Sequence, residues 1–338
     1  MGANSYVCTA FHCDSKEEAN RYPQVGDDSS NPKFQLVYWR CVVAFFAVSV
    51  RNNANSRHIF FTNNSEIPDI GGFETERFFE ENEIEVVTLP YTCKIPRNNF
   101  NCWGSTFYIF DILKHISENA VEDDIYIILD PDCVFINPVD RIVDLISRYD
   151  VLAYDLRSPP EVDLYGLSRL DMKEIYEEIN GRALSEPPRD YGAEWVGAKV
   201  KVIKDIVRIF DETRSIIDER VKRGKKSFNT EEHLLNYIYQ KLEYPLKPVN
   251  PYLRRLLTAP NVNNIKGDEF SLDIWHMPAE KLTGIKALFD EIADPESIFC
   301  KIRSRERFAE YLGHRLSIFR ILRENNLGKL PLLGTMST

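Results

Sequence analysis

Two aspartates separated by a single residue have the clearest chemical potential in this chain. Asp130 and Asp132 follow a continuous apolar run, residues 125–129 (IYIIL). Such a run predicts a strand buried on both faces, and ligands of α/β sheets bind beyond the carboxyl ends of the strands. Neighbouring carboxylates repel each other, so both stay ionised only beside a cation. Mg²⁺ or Mn²⁺ with substrate phosphates would supply that cation; the alternative is a solvated turn capped by aspartate.

The surrounding sequence predicts the elements that position this pair. Strand-like and helix-like segments alternate along the first part of the chain, which predicts an α/β domain with a largely parallel sheet. The predicted strands are residues 6–11, 58–62, 85–89 and 125–129. The predicted helices are residues 34–50, 72–81, 103–117, 171–180, 199–211, 229–240, 279–292 and 296–325.

Composition excludes several classes of protein. The 338 residues carry 42 basic and 52 acidic side chains, a net charge of −10, which argues against a sequence-independent nucleic-acid binder. The longest uncharged apolar run, residues 41–50, is too short to span a bilayer. Seven cysteines without C-x-x-C spacing predict free thiols in a reducing compartment, and hence a cytoplasmic protein.

Four segments, in order, resemble glycosyltransferases of the GT-A fold. Residues 103–134 resemble the helix, strand and D-x-D motif of retaining family 6, the blood-group-type enzymes. Residues 191–198 (YGAEWVGA) resemble the aromatic, glycine-rich acceptor segment of that family. Residues 231–236 (EEHLLN) resemble its D-E-S-H-L-N helix and also the D-Q-D-x-L-N helix of the glycogenin-like family 8. His276 with Gly284 and Lys286 is similar to a late family 8 motif, in which a histidine joins the metal and a lysine meets the diphosphate.

This resemblance implies a fold, a reaction and a metal. The implied fold is a Rossmann-like GT-A domain over residues 1–290, with a mixed α/β sheet flanked by helices. The implied reaction transfers a hexose from a nucleotide-diphosphate sugar, with a UDP-sugar as the favoured donor, to a hydroxyl of a glycan, lipid or protein. The resemblance also implies retention of the anomeric configuration. Asp130, Asp132 and His276 would hold Mn²⁺ or Mg²⁺.

The resemblance also assigns roles to single residues. Glu232 matches the candidate nucleophile when the helix is aligned on Leu235 and Asn236, whereas Glu231 matches when it is aligned on His233, so both acids remain candidates. The families' donor-binding arginine is missing from residues 107–111, and Lys94 or Arg97 would replace it. The donor-binding set is Thr9, Ala10, Phe11, Asp130 and Lys286. The sugar-binding set is Gly192, Glu194, Trp195, Gly197 and Glu231, although Trp195 suits a core position equally well and the glycines suit simple turns.

Two other classes of function are compatible with the motifs. In a phosphatase of the haloacid-dehalogenase type, Asp130 would accept the phosphoryl group and Asp132 would be the general acid. Asp268 and Asp273 imitate that family's downstream acidic motif, but its first motif usually ends the first strand, and here three strands precede it. The second alternative is a sugar-nucleotide binder without turnover.

The end of the chain has a different charge. Residues 291–338 are predicted as a C-terminal helical extension, and from Lys301 onward eight basic side chains stand against three acidic ones. Residues 308–323 combine aromatic side chains with arginines. A helix packed on the catalytic domain is the favoured interpretation, and attachment to the anionic inner face of a membrane is the alternative.

Overall fold

The computed structural model describes residues 3–96, 100–259 and 262–325. The strands are β1 (Ser5–Phe11), β2 (Arg57–Thr62), β3 (Ile84–Thr88), β4 (Ile125–Leu129), β5 (Cys133–Phe135), β6 (Val151–Ala153), β7 (Trp195–Lys199), β8 (Lys247–Pro248), β9 (Leu253–Arg255), β10 (Thr258–Ala259), β11 (Val262–Asn263) and β12 (Ile274–His276). The α-helices are α1 (Pro32–Asn52), α2 (Thr75–Glu81), α3 (Ile109–Asn119), α4 (Asp140–Tyr149), α5 (Arg169–Asn180), α6 (Val200–Lys222), α7 (Glu231–Lys241), α8 (Gly284–Ile292), α9 (Ile298–Lys301), α10 (Arg305–Arg315) and α11 (Ile318–Glu324).

The main sheet is mixed. Among the described residues it has seven strands in the order β3-β2-β1-β4-β7-β6-β8. Strand β1 is parallel to β2 and β4, whereas β7 is antiparallel to β4 and β6. All five residues of β4 are buried, as an apolar strand in the middle of a covered sheet requires. The predicted fold class, a mixed α/β sheet flanked by helices, is confirmed.

Two hydrophobic clusters cover the faces of this sheet. One contains buried side chains of α1, α8, α10 and α11, and the other contains those of α3, α6 and α7. Helix α1 is long and apolar enough to cross a membrane by length and composition. In the structure most of it is buried, and Phe45 stacks edge-on against Phe135 with ring centroids 5.1 Å apart. Helix α1 therefore serves here as the central core helix of one face.

A small second sheet joins distant parts of the chain. Strand β12 is antiparallel to β5 and parallel to β9. In this register His276 lies opposite Cys133 on one side and Arg255 on the other. Each of the three strands has only three residues, too few for a recognisable hydrophobic period, and the sequence predicted none of them.

Several predicted segments differ in the structure. Residues 104–108 form a 3-10 turn before α3, and the second half of the segment 191–198, which resembles the glycine-rich acceptor segment, lies in β7. Helix α4 was not predicted. The single helix predicted over residues 296–325 is divided into α9, α10 and α11, with Ser317 at φ 62° between the last two.

The C-terminal helices are packed against the rest of the chain. Their apolar residues belong to the same cluster as α1 and α8, which favours the packed helix over membrane insertion. These buried residues are Phe308, Tyr311, Leu312, Leu316, Phe319 and Leu322. The division at residue 290 stays a prediction, and residues 326–338 of the predicted extension lie outside the described residues.

Candidate active site

A cavity of about 570 Å³ opens at the carboxyl ends of β1 and β4. Its volume lies within the range of small-molecule sites. The walls come from the end of β1, the segment around the 3-10 turn, the start of α7 and the segment after β12. Lining residues with chemical functions are His12, Asp14, Trp103, Thr106, Asp130, Asp132, Tyr165, Glu194, Glu231, Glu232, Arg255, His276 and Lys281.

Asp130, Asp132 and His276 form a compact group in this cavity. One ligand atom from each lies within 4.8 Å of the others. The Nε2 atom of His276 is 3.6 Å from Oδ2 of Asp130 and 3.3 Å from Oδ2 of Asp132. The register of β12 on β5 produces this geometry, because it places His276 beside the residue that follows Asp132. The structure thus brings the three predicted metal ligands together.

The charges in this group are strongly coupled. Burial alone would raise the pKa of Asp132, but the hydrogen-bonded Lys281 and the nearby charge of His276 outweigh it and hold that pKa well below its usual range. Desolvation inside the cavity and the charge of Asp132 raise the pKa of Asp130 to about 6. Burial would lower the pKa of His276, but Asp132 and Glu194 raise it to about 9. Without a metal ion, therefore, His276 and Lys281 neutralise the acidic pair.

The donor atoms fit a divalent cation. Among the described residues, Oδ1 of Asp132 and Nε2 of His276 are buried and have no hydrogen-bond partner. Lys281 uses the other oxygen of Asp132, so Oδ1 remains for a metal. Carboxylates with an imidazole suit Mn²⁺ and, through the carboxylates, Mg²⁺. Asp130 has a half-exposed side chain in the cavity lining.

Glu194 contacts this group through His276, on the ring nitrogen that does not face the acidic pair. Its carboxylate accepts two hydrogen bonds of 2.7 Å from Arg255 and lies 3.2 Å from Nδ1 of His276. Burial would raise the pKa of Glu194, but Arg255 and His276 hold it well below its usual range. Only 1% of its side chain is exposed, so Glu194 supports other side chains rather than meeting a sugar as predicted. No sequence motif singles out Arg255, which lies outside every predicted strand and helix.

The two acids at the start of α7 both line the cavity. The hydroxyl of Thr106 donates to Glu231, and burial raises the pKa of Glu231 to about 7. Glu232 accepts a 3.3 Å hydrogen bond from the Ala193 amide, and its Oε1 is buried with no hydrogen-bond partner in the part of the chain that the structure describes. Burial raises the pKa of Glu232 well above its usual range, against the opposing charge of Arg255. Both acids remain candidates for the reacting carboxylate.

Three predicted sugar-binding residues are not part of the cavity lining. Trp195 is 1% exposed, and its Nε1 donates to the Leu152 carbonyl over 2.8 Å, so it is a core residue. A Cβ at Gly197 would lie 2.2 Å from the Trp195 ring, and a Cβ at Gly192 would lie 2.1 Å from a Glu194 oxygen. These glycines therefore make room for neighbouring side chains instead of a sugar.

Some of the predicted donor-binding residues line the cavity and others do not. Ala10 and Phe11 line the cavity, whereas Thr9 is buried and donates to the Leu129 carbonyl over 2.8 Å. Lys286 lies outside the cavity lining and pairs with Asp290 on an exposed face of α8. Lys281 is the lysine that reaches the acidic pair.

The remaining predicted positions near the donor side are also accounted for. Lys94 pairs with Glu18, and Arg97 lies outside the described residues. His12 and Asp14, which the sequence left without a role, line the cavity with His12 Nδ1 2.9 Å from an Asp14 oxygen.

An aromatic wall, consisting of Phe100, Trp103 and Tyr165, stands on the Glu231 side of the cavity. Trp103 and Tyr165 have ring centroids 4.9 Å apart, and Phe100 stacks on Trp103 at 6.0 Å. Trp103 and Tyr165 have φ values of 51° and 58°, which non-glycine residues seldom adopt. The hydroxyl of Thr106 joins the wall to Glu231, because it also contacts the Trp103 carbonyl.

Comparisons with known proteins gave structural neighbours. No protein-family model matches the sequence, and no curated protein matches it. The galactosyltransferase LgtC, in complex with donor and acceptor sugar analogues, has 14% identity and a TM-score of 0.46, covering 94% of this chain and 99% of that one. Mouse xyloside xylosyltransferase 1 has 10% identity and a TM-score of 0.45, covering 81% of this chain and 97% of that one. An active-site mutant of LgtC has 13% identity and a TM-score of 0.45, covering 91% and 95%.

Proposed function

We propose that this chain is a glycosyltransferase of the GT-A type that transfers a sugar from a nucleotide-diphosphate donor to a hydroxyl group. The observation that carries the proposal is the meeting of Asp130, Asp132 and His276 in one cavity with the buried acids Glu231 and Glu232. The first group suits a metal-bound diphosphate, and the second suits a positively charged sugar carbon. A single cavity therefore offers partners for both fragments of a glycosyl diphosphate.

Asp130, Asp132 and His276 would hold Mn²⁺ or Mg²⁺. That cation would neutralise the diphosphate as the bond to the sugar opens. Lys281 adds a permanent positive charge at the same place, since burial does not overcome the acidic neighbours that raise its pKa. In this proposal the leaving group departs toward the acidic pair and its cations.

Two groups of aromatic residues at the cavity differ in their neighbours. Phe11 stacks on Tyr38 with ring centroids 5.2 Å apart, and His12 and Asp14 line the same cavity. Aromatic rings and hydrogen-bonding groups suit a nucleoside, and we infer that the base and ribose of a UDP-sugar bind there. The aromatic wall beside Glu231 suits the apolar face of an acceptor sugar. We therefore favour a UDP-sugar donor and a glycan acceptor.

Glu231 and Glu232 are proposed to act on the anomeric carbon. As the bond to the diphosphate opens, positive charge develops at that carbon and favours the ionised form of a nearby carboxyl group. A carboxylate on the face opposite the leaving group would permit retention of configuration, either as a nucleophile or as an electrostatic stabiliser. Retention is part of this proposal.

The phosphatase alternative has less support. Asp268, which would belong to its downstream acidic motif, pairs with Arg254 at 2.7 Å near the surface. Asp273 is buried and pairs with Arg141. Neither acid lines the cavity around Asp130, so the residues imitating that motif lie apart from the D-x-D pair.

One experiment separates the three classes. The protein is incubated with a panel of UDP-sugars and Mn²⁺, Mg²⁺ or EDTA, and free UDP is measured with and without simple glycan acceptors. A transferase releases UDP in a metal-dependent way and forms a glycoside, whose anomeric configuration proton NMR determines. Phosphate release from sugar phosphates without nucleotide selectivity would indicate a phosphatase. Saturable binding of UDP-sugars without UDP release would indicate a binder.

A further inference from the structure

We propose that Arg255 and Glu194 are positioning residues, which hold His276 and Glu232 in the orientations that the site requires. The proposal rests on the proposed function only for its effect on turnover. Its effect on metal binding is independent of any sugar substrate.

The two ring nitrogens of His276 face different carboxylates. Nδ1 lies 3.2 Å from Oε1 of Glu194, and Nε2 faces the oxygens of Asp130 and Asp132 at 3.6 and 3.3 Å. A histidine that binds a metal usually donates its second N–H to a carboxylate or carbonyl, which fixes the ring orientation and the tautomer. Glu194 is in the place where this partner is needed, on the side of the ring away from the acidic pair.

Arg255 holds the carboxylate of Glu194 in place. Arg255 donates from Nε and Nη2 to the two oxygens of Glu194, each over 2.7 Å. This two-bond fork fixes the plane of the carboxylate, which one ammonium group would not do. The backbone supports the arrangement, because Arg255 and His276 are register partners in β9 and β12.

Arg255 also contacts Glu232, one of the two candidate catalytic acids. Nη2 of Arg255 lies 3.8 Å from Oε2 of Glu232, so one guanidinium stands between two buried carboxylates. Glu194 precedes β7 and Glu232 lies in the first turn of α7, so this guanidinium links the carboxylate beside His276 to the carboxylate proposed to act on the sugar. Removing the fork would therefore disturb the metal side and the Glu232 side of the cavity together.

The chain contains a matched control at the next position. Arg254 also makes a fork, with bonds of 2.7 and 2.9 Å to Asp268, and its side chain is 21% exposed against 27% for Arg255. Arg254 is not among the residues that line the cavity. Arg254→Lys and Arg255→Lys make the same chemical change on adjacent residues, and only the second loses the contact to Glu194.

The experiment measures Mn²⁺ binding to the full chain without any donor, by the loss of the free Mn²⁺ signal in electron paramagnetic resonance. We expect Arg255→Lys and Glu194→Gln to weaken Mn²⁺ affinity by about tenfold to a hundredfold, the range for loss of an outer-shell partner. Arg254→Lys should stay within about twofold of the unchanged protein. Melting temperature and circular dichroism identify the variants that fold. If Arg255→Lys does not fold, Glu194→Gln provides the test of Mn²⁺ affinity.

Turnover supplies the second readout. With a UDP-sugar substrate, Arg255→Lys should lower kcat by at least about tenfold while KM for the donor changes less, because Glu232 acts on charge that develops in the transition state. Folded Arg255→Lys and Glu194→Gln proteins that bind Mn²⁺ as tightly as the unchanged protein would overturn the inference. So would an unchanged protein that binds no Mn²⁺. If Mn²⁺ binding responds as expected but no UDP-sugar is turned over, the proposed function fails and the positioning role stands.

Discussion

Nε2 of His276 lies 3.3 Å from Oδ2 of Asp132, because the antiparallel register of β12 on β5 sets His276 opposite Cys133. Two residues from distant parts of the chain thus become neighbours through three-residue strands. The metal group depends on this small sheet as much as on β4, whose end presents the acidic pair.

Asp132→Asn should remove the stabilisation that Mn²⁺ and UDP confer on the protein. A neutral amide is a poor ligand for a hard cation. At a ligand concentration a hundredfold above Kd, the unchanged protein should gain about 2.7 kcal/mol, which appears as a higher Tm. Asp130→Asn is the companion variant, because it leaves the Lys281 pair intact. An Asp132→Asn protein with the full ligand-induced shift in Tm would contradict the metal role.

Glu232→Gln should lower kcat by about a hundredfold or more and leave UDP affinity nearly unchanged. The carboxylate would act on charge present only in the transition state. Glu231→Gln is the matched change, one residue away on the same helix turn. A large loss in Glu231→Gln with normal turnover in Glu232→Gln would transfer the role to Glu231. The measurements are steady-state kinetics and UDP titration.

Trp103→Ala should raise KM for a glycan acceptor while the hydrolysis of the donor, measured without acceptor, stays near its normal rate. Trp103 packs against Tyr165 in the cavity lining and is linked through Thr106 to Glu231, whereas the nucleoside is proposed to bind beside Phe11 and Tyr38. Loss of one stacking ring costs about 1 kcal/mol or slightly more, or about tenfold in KM. Equal effects on acceptor KM and on donor hydrolysis would argue for a structural role only.

The buried His58 should make the free energy of unfolding depend on pH. Burial lowers its pKa from 6.5 to about 4 in the folded protein, so the unfolded chain takes up a proton between these values that the folded protein does not. Its contribution to stability is therefore present above pH 6.5 and is lost as pH decreases toward 4. The loss amounts to about 3 kcal/mol at most. Urea unfolding of the unchanged protein and of His58→Asn, at pH 7 and pH 4.5, should give a smaller decrease for the variant. Equal decreases would show that His58 titrates normally.

Truncation after Phe299 should strongly destabilise the protein. The removed helices bury Phe308, Leu312, Leu316 and Phe319 in the main core. At about 1.5 to 3 kcal/mol for each large apolar side chain, this loss rivals the total stability of a typical domain. Truncation after Asn325, the last residue that the structure describes, is the control and gives the Tm with which the shorter chain is compared. A chain ending at Phe299 that keeps its Tm but no longer sediments with anionic vesicles would revive the membrane hypothesis.

The sequence by itself determined the parts of the site that lie close together in the chain. The apolar run of β4 predicts a buried strand from its own residues, and Asp130 and Asp132 follow it directly. Helix α7 is similarly local, because the Thr230 side chain caps it and sets Glu231 and Glu232 in its first turn. These features depend on hydrophobic pattern and capping, which neighbouring residues supply.

Only the tertiary structure decided which other side chains complete the site. Trp195 lies in the core because Gly197 leaves space for its ring, a relation that no spacing in the sequence distinguishes from a sugar platform. Lys281 donates a hydrogen bond to Asp132, whereas Lys286 pairs with Asp290 on an exposed face of α8. A helix was predicted from residue 279, but a 3-10 turn occupies residues 278–280 and α8 begins only at Gly284. The strands that bring Arg255 and His276 together are three residues long, and such short strands are stable only through pairing with partners far along the chain.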